Sequence, residues 1–523
     1  MIFISKYITI LPMEAENIQK QQKEIGSFIK ELRKKRGLTQ EQLANQLETT
    51  QSAIARMERG GLNFSTQELL RIGEALGHHL VRIRREERDD FIIHGGRKLS
   101  GSIATNTSKN GAMGLISASL LNKGTTVLHG IPKIQEVFRF IEILESIGVN
   151  VSWSNENTLT IIPPKKFSME TINKSSAAKI RSFLMCIGSL THHVKSFKVP
   201  TSGGCKMGER TIAAHKHGLE ALGIHITTEN DGYLVERGNL KPTEIVMYEA
   251  SDTATENIII AAAGIPGTTV IHFAQQNYMV QDVCFFLEKL GVKIEGIGSL
   301  KLTVHGVKNI NTKVEHHNSE DPIESMMFIS AAIATRSELT ITRSPIDFLK
   351  LELVKLRAMG VPISLSKSYK SKNKRTELVD ITVHPYKQLV ALDDKIHATP
   401  YPGINTDNLP FFVPVALKAK GTTLIHDWMW ENRAIYFTEL NRLGAQVRLA
   451  DQHRVFIEGG HRMSAGELIC PPALRPSTMI LVTMLGIEGT STLRNVYSIK
   501  RGYENIVERL NALGAKIEVV NEF

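Results

Sequence analysis

The chain has few of the residues that staple or anchor a fold by other means than a core. It holds four cysteines and three tryptophans in 523 residues, and aromatic side chains make up 6% of the total. Cys186, Cys205, Cys284 and Cys470 are too few and too scattered for a disulfide framework, and none stands at metal-ligand spacing from another. No apolar run is long enough to span a bilayer, and the apolar opening Met1–Leu11 lacks a basic leader and a small-residue cleavage site. The expectation is a cytoplasmic protein with no membrane contact and no metal. Hydrophobic content of 42% and charged content of 22% suit a soluble globular chain, and its length asks for more than one core.

What is present is positive charge and glycine. The net charge of +10 fits anionic partners, either nucleic acid or phosphorylated small molecules. One cysteine lies in unusual company. In Ser202-Gly203-Gly204-Cys205-Lys206-Met207-Gly208-Glu209-Arg210 three glycines bracket Cys205 between cations. Glycine lets a loop approach a ligand closely, and nearby cations favour the thiolate. Such a loop presents a reactive sulfur or is simply a flexible turn. Cys186 and Cys284 lie in apolar runs and read as core.

Residues 1–23 read as an N-terminal extension and 24–86 as a small all-α unit. Ile25, Phe28, Ile29 and Leu32 recur at helical spacing, and the helix stops at Arg36-Gly37. Thr39-Gln40-Glu41-Gln42 is a capping box that opens a second helix bearing Leu43, Ala44 and Leu47. Thr50 opens a third helix, and Ser65 a fourth with Leu69, Leu70, Ile72, Leu76 and Leu80. The pattern resembles the helix-turn-helix domains of the phage-repressor and Cro type. That resemblance places Thr50, Gln51, Ser52 and Arg56 toward DNA, with Gln40 near a phosphate. Heads of this type usually work in pairs, so a homodimer is expected. A protein-binding or dimerisation module is the other reading of the same helices.

From about residue 91 the texture becomes alternating strands and helices. A helix end, a glycine and a short β-rich run recur six times, with the glycines at 148, 223, 291, 360, 444 and 514. Each is expected in the left-handed helix-cap conformation. Gly124-Thr125-Thr126, Gly267-Thr268-Thr269, Gly421-Thr422-Thr423 and Gly489-Thr490-Ser491 precede several copies as entering strands. Six α/β units of roughly 70 residues are too large for a solenoid and divide naturally into two lobes of three, with a ligand cleft between them.

Together with the Cys205 loop, these units resemble the enolpyruvyl transferase family, on the branch whose acceptor is UDP-N-acetylglucosamine in peptidoglycan synthesis. The resemblance runs from about Ile92 to the C-terminus. It implies two lobes, each an inside-out α/β barrel of three βα repeats, the first from 91–108 plus 323–523 and the second from 109–322. It also implies residue roles. Lys109, Arg210 and Arg501 would hold the phosphate of phosphoenolpyruvate, and Arg433 and Arg475 its carboxylate. Asn110 would hold the sugar, while Ser251, Asp252 and Thr253 would meet the diphosphate. Arg181 and Glu431 match further family positions. Cys205 would be the acid at C3, and Asp407 would take or orient the hydroxyl proton. No cofactor is implied, because phosphoenolpyruvate is a co-substrate.

The sequence also departs from the family. Thr211 and Ala213 stand where Pro and Asp are usual, and Glu249 where a Lys on the nucleotide side is common. Pro322 replaces a usual Arg, while Ala473 and Lys500 replace usual Asp residues. These changes bear on the acceptor, which is UDP-N-acetylglucosamine, a related nucleotide sugar, or a different nucleotide of specialised metabolism. A regulator whose transferase lobes sense a ligand without turnover is the rival class.

Overall fold

The computed structural model describes residues 22, 25–27, 29–30, 32–34, 36–61, 64, 66–75, 89–155, 157–200 and 211–521. The chain divides into two compact units, 1–87 and 88–523.

In the first unit, helical residues between 22 and 34 are followed by α1 (Gln40–Gln46), α2 (Gln51–Glu58) and α3 (Thr66–Ala75). Leu76 and Leu80 of the expected fourth helix lie outside the described residues. The capping box forms: the Gln42 amide donates to Thr39 Oγ1 at 3.1 Å, and the Thr39 amide donates to Gln42 Oε1 at 2.8 Å. Gly37 ends the preceding helix at φ +69°, where a Cβ would be strained. Ile29, Leu43, Ala44, Leu47, Ile54, Met57 and Ile72 make the core.

Beside that core lies a buried ion pair, Arg33 Nε to Glu58 Oε1 at 2.5 Å. Its bond to Glu58 holds the Arg33 guanidinium above its ordinary pKa. Burial works to raise the Glu58 carboxyl, but the bonds from Arg33 and Gln40 outweigh it and hold the group below the usual range. Removing one partner of a buried pair strands the other charge. Glu58→Ala is therefore expected to destabilise the head by about 3–5 kcal/mol. Thermal denaturation of the full chain should show that loss in the head's transition and leave the transition of 88–523 in place.

Among the described residues of the second unit the strands form six sheets. Three use only strands between residues 126 and 317, and three use strands from 89–104 and 339–521. Five of the six share one plan. Two strands pair in parallel, and two antiparallel strands continue the sheet. Glu244–Val246 beside Gly267–His272, then Lys301–Gly306 and Lys293–Glu295, is one example. Ser102–Ala104 beside Leu339–Pro345, then Glu377–Val383 and Ile363–Leu365, is another. The sixth, Ser196–Pro200, Gly232–Arg237 and Ile224–Glu229, has three described strands. All six recurrent glycines adopt positive φ, from +86° at Gly444 to +100° at Gly514, as their helix-cap positions require.

The helices between the sheets show why the barrels are inside out. A helix buried on every side needs apolar or small residues all round. α4 (Lys109–Ser119) is buried from Gly111 onward, and α5 (Asp252–Ala263) from Ala254 onward. α6 (Pro322–Ala334) and α8 (Leu474–Leu485) are buried at every residue, and α7 (Phe412–Lys418) from Phe412 through Leu417. α4 packs on α5 in one lobe, while α6, α7 and α8 pack together in the other. Gly114 shows how close the approach is: a Cβ there would lie 2.4 Å from Glu256 Oε1 and 2.7 Å from a Val283 methyl. Sheets face outward and helices form the centre, an α/β architecture of two lobes. Among the described residues no helix is long and apolar enough to cross a membrane.

Candidate active site

Three of the buried helices, α4, α5 and α8, bring polar residues of their first turns to one cavity. Lys109 and Asn110 begin α4 behind the cap Ser108, whose Oγ accepts from the Gly111 amide at 3.0 Å. Asp252 begins α5 behind Ser251, and Leu474 and Arg475 begin α8. Loops bring Arg181, Tyr401, Asp407, Trp430, Glu431, Arg433 and Arg501 to the same cavity, about 610 Å³ in volume. Of the site residues expected from sequence, Lys109, Asn110, Arg181, Ser251, Asp252, Thr253, Asp407, Glu431, Arg433, Arg475 and Arg501 all line it. Cys205 and Arg210 lie outside the described residues.

The centre of the cavity is a carboxylate between two guanidinium groups. Asp407 Oδ2 accepts from Arg475 Nε at 3.1 Å, and Asp407 Oδ1 stands 3.7 Å from Arg433 Nη1. Burial works to raise the Asp407 carboxyl, but Arg475 and Arg433 outweigh it and hold the group below its ordinary range. Asp407 is thus ionised at neutral pH and can accept a hydrogen bond from a hydroxyl. Arg475 spends its Nη1 on Tyr503 Oη at 2.7 Å. Burial works to lower the Arg475 pKa, yet Tyr503, Asp407 and Asp321 hold it well above its usual value.

Arg433 is fully buried. Its Nε and Nη2 donate to Asp427 at 2.5 and 2.7 Å, and Nη2 also reaches the Thr406 carbonyl at 2.8 Å. Its Nη1 is buried without a hydrogen-bond partner, so one donor of the fork remains for an anion. Lys109 Nζ pairs with Glu136 Oε2 at 3.0 Å. Burial works to raise the Glu136 carboxyl, but Lys109 and Arg501 bring it below its ordinary value. Asn110 Nδ2 donates to Tyr278 Oη at 3.2 Å, and Arg181 Nη2 donates to the Thr211 carbonyl at 2.7 Å. Burial lowers the Arg181 pKa.

Three acids absent from the sequence-level set support these groups. Asp427 is fully buried and aligns Arg433, and Glu136 aligns Lys109. Glu352 holds the Asp407 turn: its Oε1 accepts from the Asn405 amide at 3.1 Å and from Asn408 Nδ2 at 2.8 Å, and Asn405 Oδ1 accepts from the Asp407 amide at 2.8 Å. Glu352 had one visible signal, an acid among Leu349, Leu353 and Leu356 at helical spacing. Burial pushes its carboxyl up to about 7. Between the ordinary carboxylate range and that value the unfolded chain has released a proton that the folded chain keeps. Stability present at low pH is therefore lost as pH rises toward 7, by up to about 3 kcal/mol for this group. Glu352→Gln, which keeps an acceptor oxygen, should flatten that loss when denaturation is compared at pH 5 and pH 8.

The three described cysteines are buried. Burial pushes the Cys186 and Cys470 thiols up to about 12 and raises Cys284 as well, so none supplies a reactive thiolate near neutral pH. Several departures have visible consequences. Lys500 pairs with Asp89, Pro322 is the first residue of α6 behind the cap Asp321, and Ala473 caps α8 with no side-chain bond. Thr211 and Glu249 line the cavity.

In the head, Thr50, Gln51, Ser52 and Arg56 are all exposed at or along α2. Thr50 Oγ1 accepts from the Ala53 amide at 3.3 Å and lies 3.0 Å from Ser52 Oγ. Gln40 is half-buried and donates to Glu58 Oε2 at 2.8 Å, which commits its amide nitrogen within the unit.

Comparison with known proteins gives this geometry a family. Residues 93–510 match the EPSP synthase (3-phosphoshikimate 1-carboxyvinyltransferase) family, and residues 29–81 match the helix-turn-helix family. The UDP-N-acetylglucosamine 1-carboxyvinyltransferase of Treponema denticola is 33% identical over 438 residues, 82% of this chain and 99% of its own length. That of Bradyrhizobium diazoefficiens is 32% identical over 438 residues, 83% of this chain and 98% of its own length. Among solved structures, the enolpyruvyl transferase NikO from Streptomyces tendae has a TM-score of 0.71 over 84% of this chain and 100% of that one. Its identity is 22%, a likeness of fold. The chain belongs to the EPSP synthase family of enolpyruvyl transferases and carries an N-terminal helix-turn-helix domain.

Proposed function

We propose that residues 88–523 transfer the enolpyruvyl group of phosphoenolpyruvate to a hydroxyl of a nucleotide or nucleotide sugar, of which UDP-N-acetylglucosamine is the reference case. The observation that carries this reading is the set of Lys109, Arg433, Arg475 and Arg501 in one cavity with ionised Asp407. A phosphate and a carboxylate on one small substrate need several cations, and Arg forks match both groups. Arg433 and Arg475 suit the carboxylate, and Lys109, Arg501 and Arg210 the phosphate.

The acceptor oxygen bonds to C2 as its proton passes to Asp407, and Cys205 delivers a proton to C3. The tetrahedral ketal then loses phosphate from C2 and a proton from C3, leaving an enol ether and inorganic phosphate. The cations hold charge that grows on the phosphate as it leaves. Phosphate release from phosphoenolpyruvate by the full chain, measured across uridine sugars, nucleotides and amino sugars, tests the reading. Release with one acceptor and its loss in Cys205→Ala support it. The absence of release with every acceptor favours a ligand sensor.

For the head we propose DNA binding, with the protein acting in the cytoplasm and as a dimer on a two-fold site. Exposed Gln51 and Arg56 on α2 support this reading. Binding to a selected duplex should weaken with salt, and more than about tenfold in Gln51→Ala or Arg56→Ala. Gel-shift titration of the full chain and of a chain lacking residues 1–87 checks it, and equal binding by the two contradicts it.

A further inference from the structure

The cavity is lined by two groups, one of cations and one that carries carboxyls and hydroxyls. Lys109, Arg433, Arg475 and Arg501 form one, and residues 249–256 supply the other: Glu249, Ser251, Asp252, Thr253 and Glu256. The first turn of a 12-residue helix has unpaired amides and partial positive charge, which draws a ligand anion. α5 instead carries its own carboxyl there. Asp252 is its first residue, and Glu256, four positions on, shares its face.

Neither carboxyl is satisfied. Asp252 Oδ2 accepts from Asn277 Nδ2 at 3.3 Å, while its buried Oδ1 has no hydrogen-bond partner. Glu256 is 1% exposed, and its buried Oε1, which packs against Gly114 of α4, has no hydrogen-bond partner. Burial raises both carboxyls, that of Asp252 to about 7. The charge that next raises Asp252 is Asp407, and those that raise Glu256 are Asp252 and Asp282. A phosphate at this turn could be held only with the Asp252 carboxyl kept protonated, a cost that a neutral ligand does not meet. A hydroxyl or an amine would give Asp252 Oδ1 the hydrogen bond it lacks.

We infer that Asp252 sets acceptor specificity: it selects a ligand that presents a hydroxyl or amine donor at the start of α5 and disfavours one that presents a phosphate there. This rests on the transferase reading and narrows it. The diphosphate that family resemblance would seat at Ser251, Asp252 and Thr253 is disfavoured, so UDP-N-acetylglucosamine is a poor acceptor for this chain.

The test is calorimetric titration of the full chain, wild type and Asp252→Asn, with UDP-N-acetylglucosamine in the absence of divalent metal. Glucosamine and glucose are measured by ligand-observed resonance, and phosphoenolpyruvate is titrated alongside. Asp252→Asn should bind UDP-N-acetylglucosamine at least about tenfold tighter, because a like-charge contact is removed. It should bind glucosamine more weakly if the donor is an amine, and both sugars more weakly if it is a hydroxyl. An unchanged or weakened affinity for UDP-N-acetylglucosamine in Asp252→Asn overturns the inference. So does wild-type binding that appears only with magnesium and is lost in the variant, which would make Asp252 part of a metal bridge. Phosphoenolpyruvate that binds neither chain refutes the transferase reading, whereas its binding to both, with equal affinity of the two for UDP-N-acetylglucosamine, refutes this inference alone.

Discussion

Asp407→Asn is expected to lower kcat by about 10²–10⁴-fold, the range for loss of a positioned general base. The amide is nearly the same shape, so the turn held by Asn405 and Glu352 remains. What disappears is an acceptor that is ionised at neutral pH because Arg475 and Arg433 flank it. Phosphoenolpyruvate binding should stay within a few-fold of wild type, since one repulsive carboxylate has left a site that collects anions. Steady-state phosphate release with the best acceptor measures kcat, and calorimetry measures binding. A kcat within twofold of wild type would remove Asp407 from the chemistry.

Arg475→Lys is expected to lower kcat/KM for phosphoenolpyruvate by about 10²-fold, mainly through KM. Lysine keeps the charge, so Asp407 is not left as an unpaired buried acid. It loses the fork that joins Asp407 through Nε and Tyr503 through Nη1 in one plane. Those two bonds orient the guanidinium donors that remain for a substrate carboxylate, which is held in the ground state and the transition state alike, so the loss falls on KM. Arg454→Lys is the control. Arg454 pairs with Asp451 within an exposed turn, and its replacement should leave both constants unchanged.

The groups that face a ligand were more legible in the sequence than the groups that hold them. Lys109, Arg433, Arg475 and Arg501 are residue types that an anionic substrate demands, in segments that resemble a known family, and the structure collects them around one cavity. The six glycines were legible for another reason. A left-handed cap depends on local sterics alone, and each has the positive φ that its place after a helix requires. Asp427, Glu136 and Glu352 follow from three-dimensional neighbourhood. Glu352 lies more than 50 residues from the turn it braces, and no local pattern joins the two. The same limit applies in the head. Gln40 read as a phosphate contact from its place in the motif, yet its amide nitrogen is engaged with Glu58, 18 residues away. Asp252 is the reverse case. Its position was legible, and only the orphaned oxygen of Asp252 gives that position a consequence for the acceptor.

The most direct measurement of the central claim is phosphate release from phosphoenolpyruvate by the full chain, with mass spectrometry of the acceptor. The account predicts one phosphate released for each enolpyruvyl ether formed on a hydroxyl of the best acceptor, with both products lost in Asp407→Asn. Phosphoenolpyruvate that binds the cavity yet yields neither product with any hydroxyl acceptor, nucleotide or sugar, would contradict it.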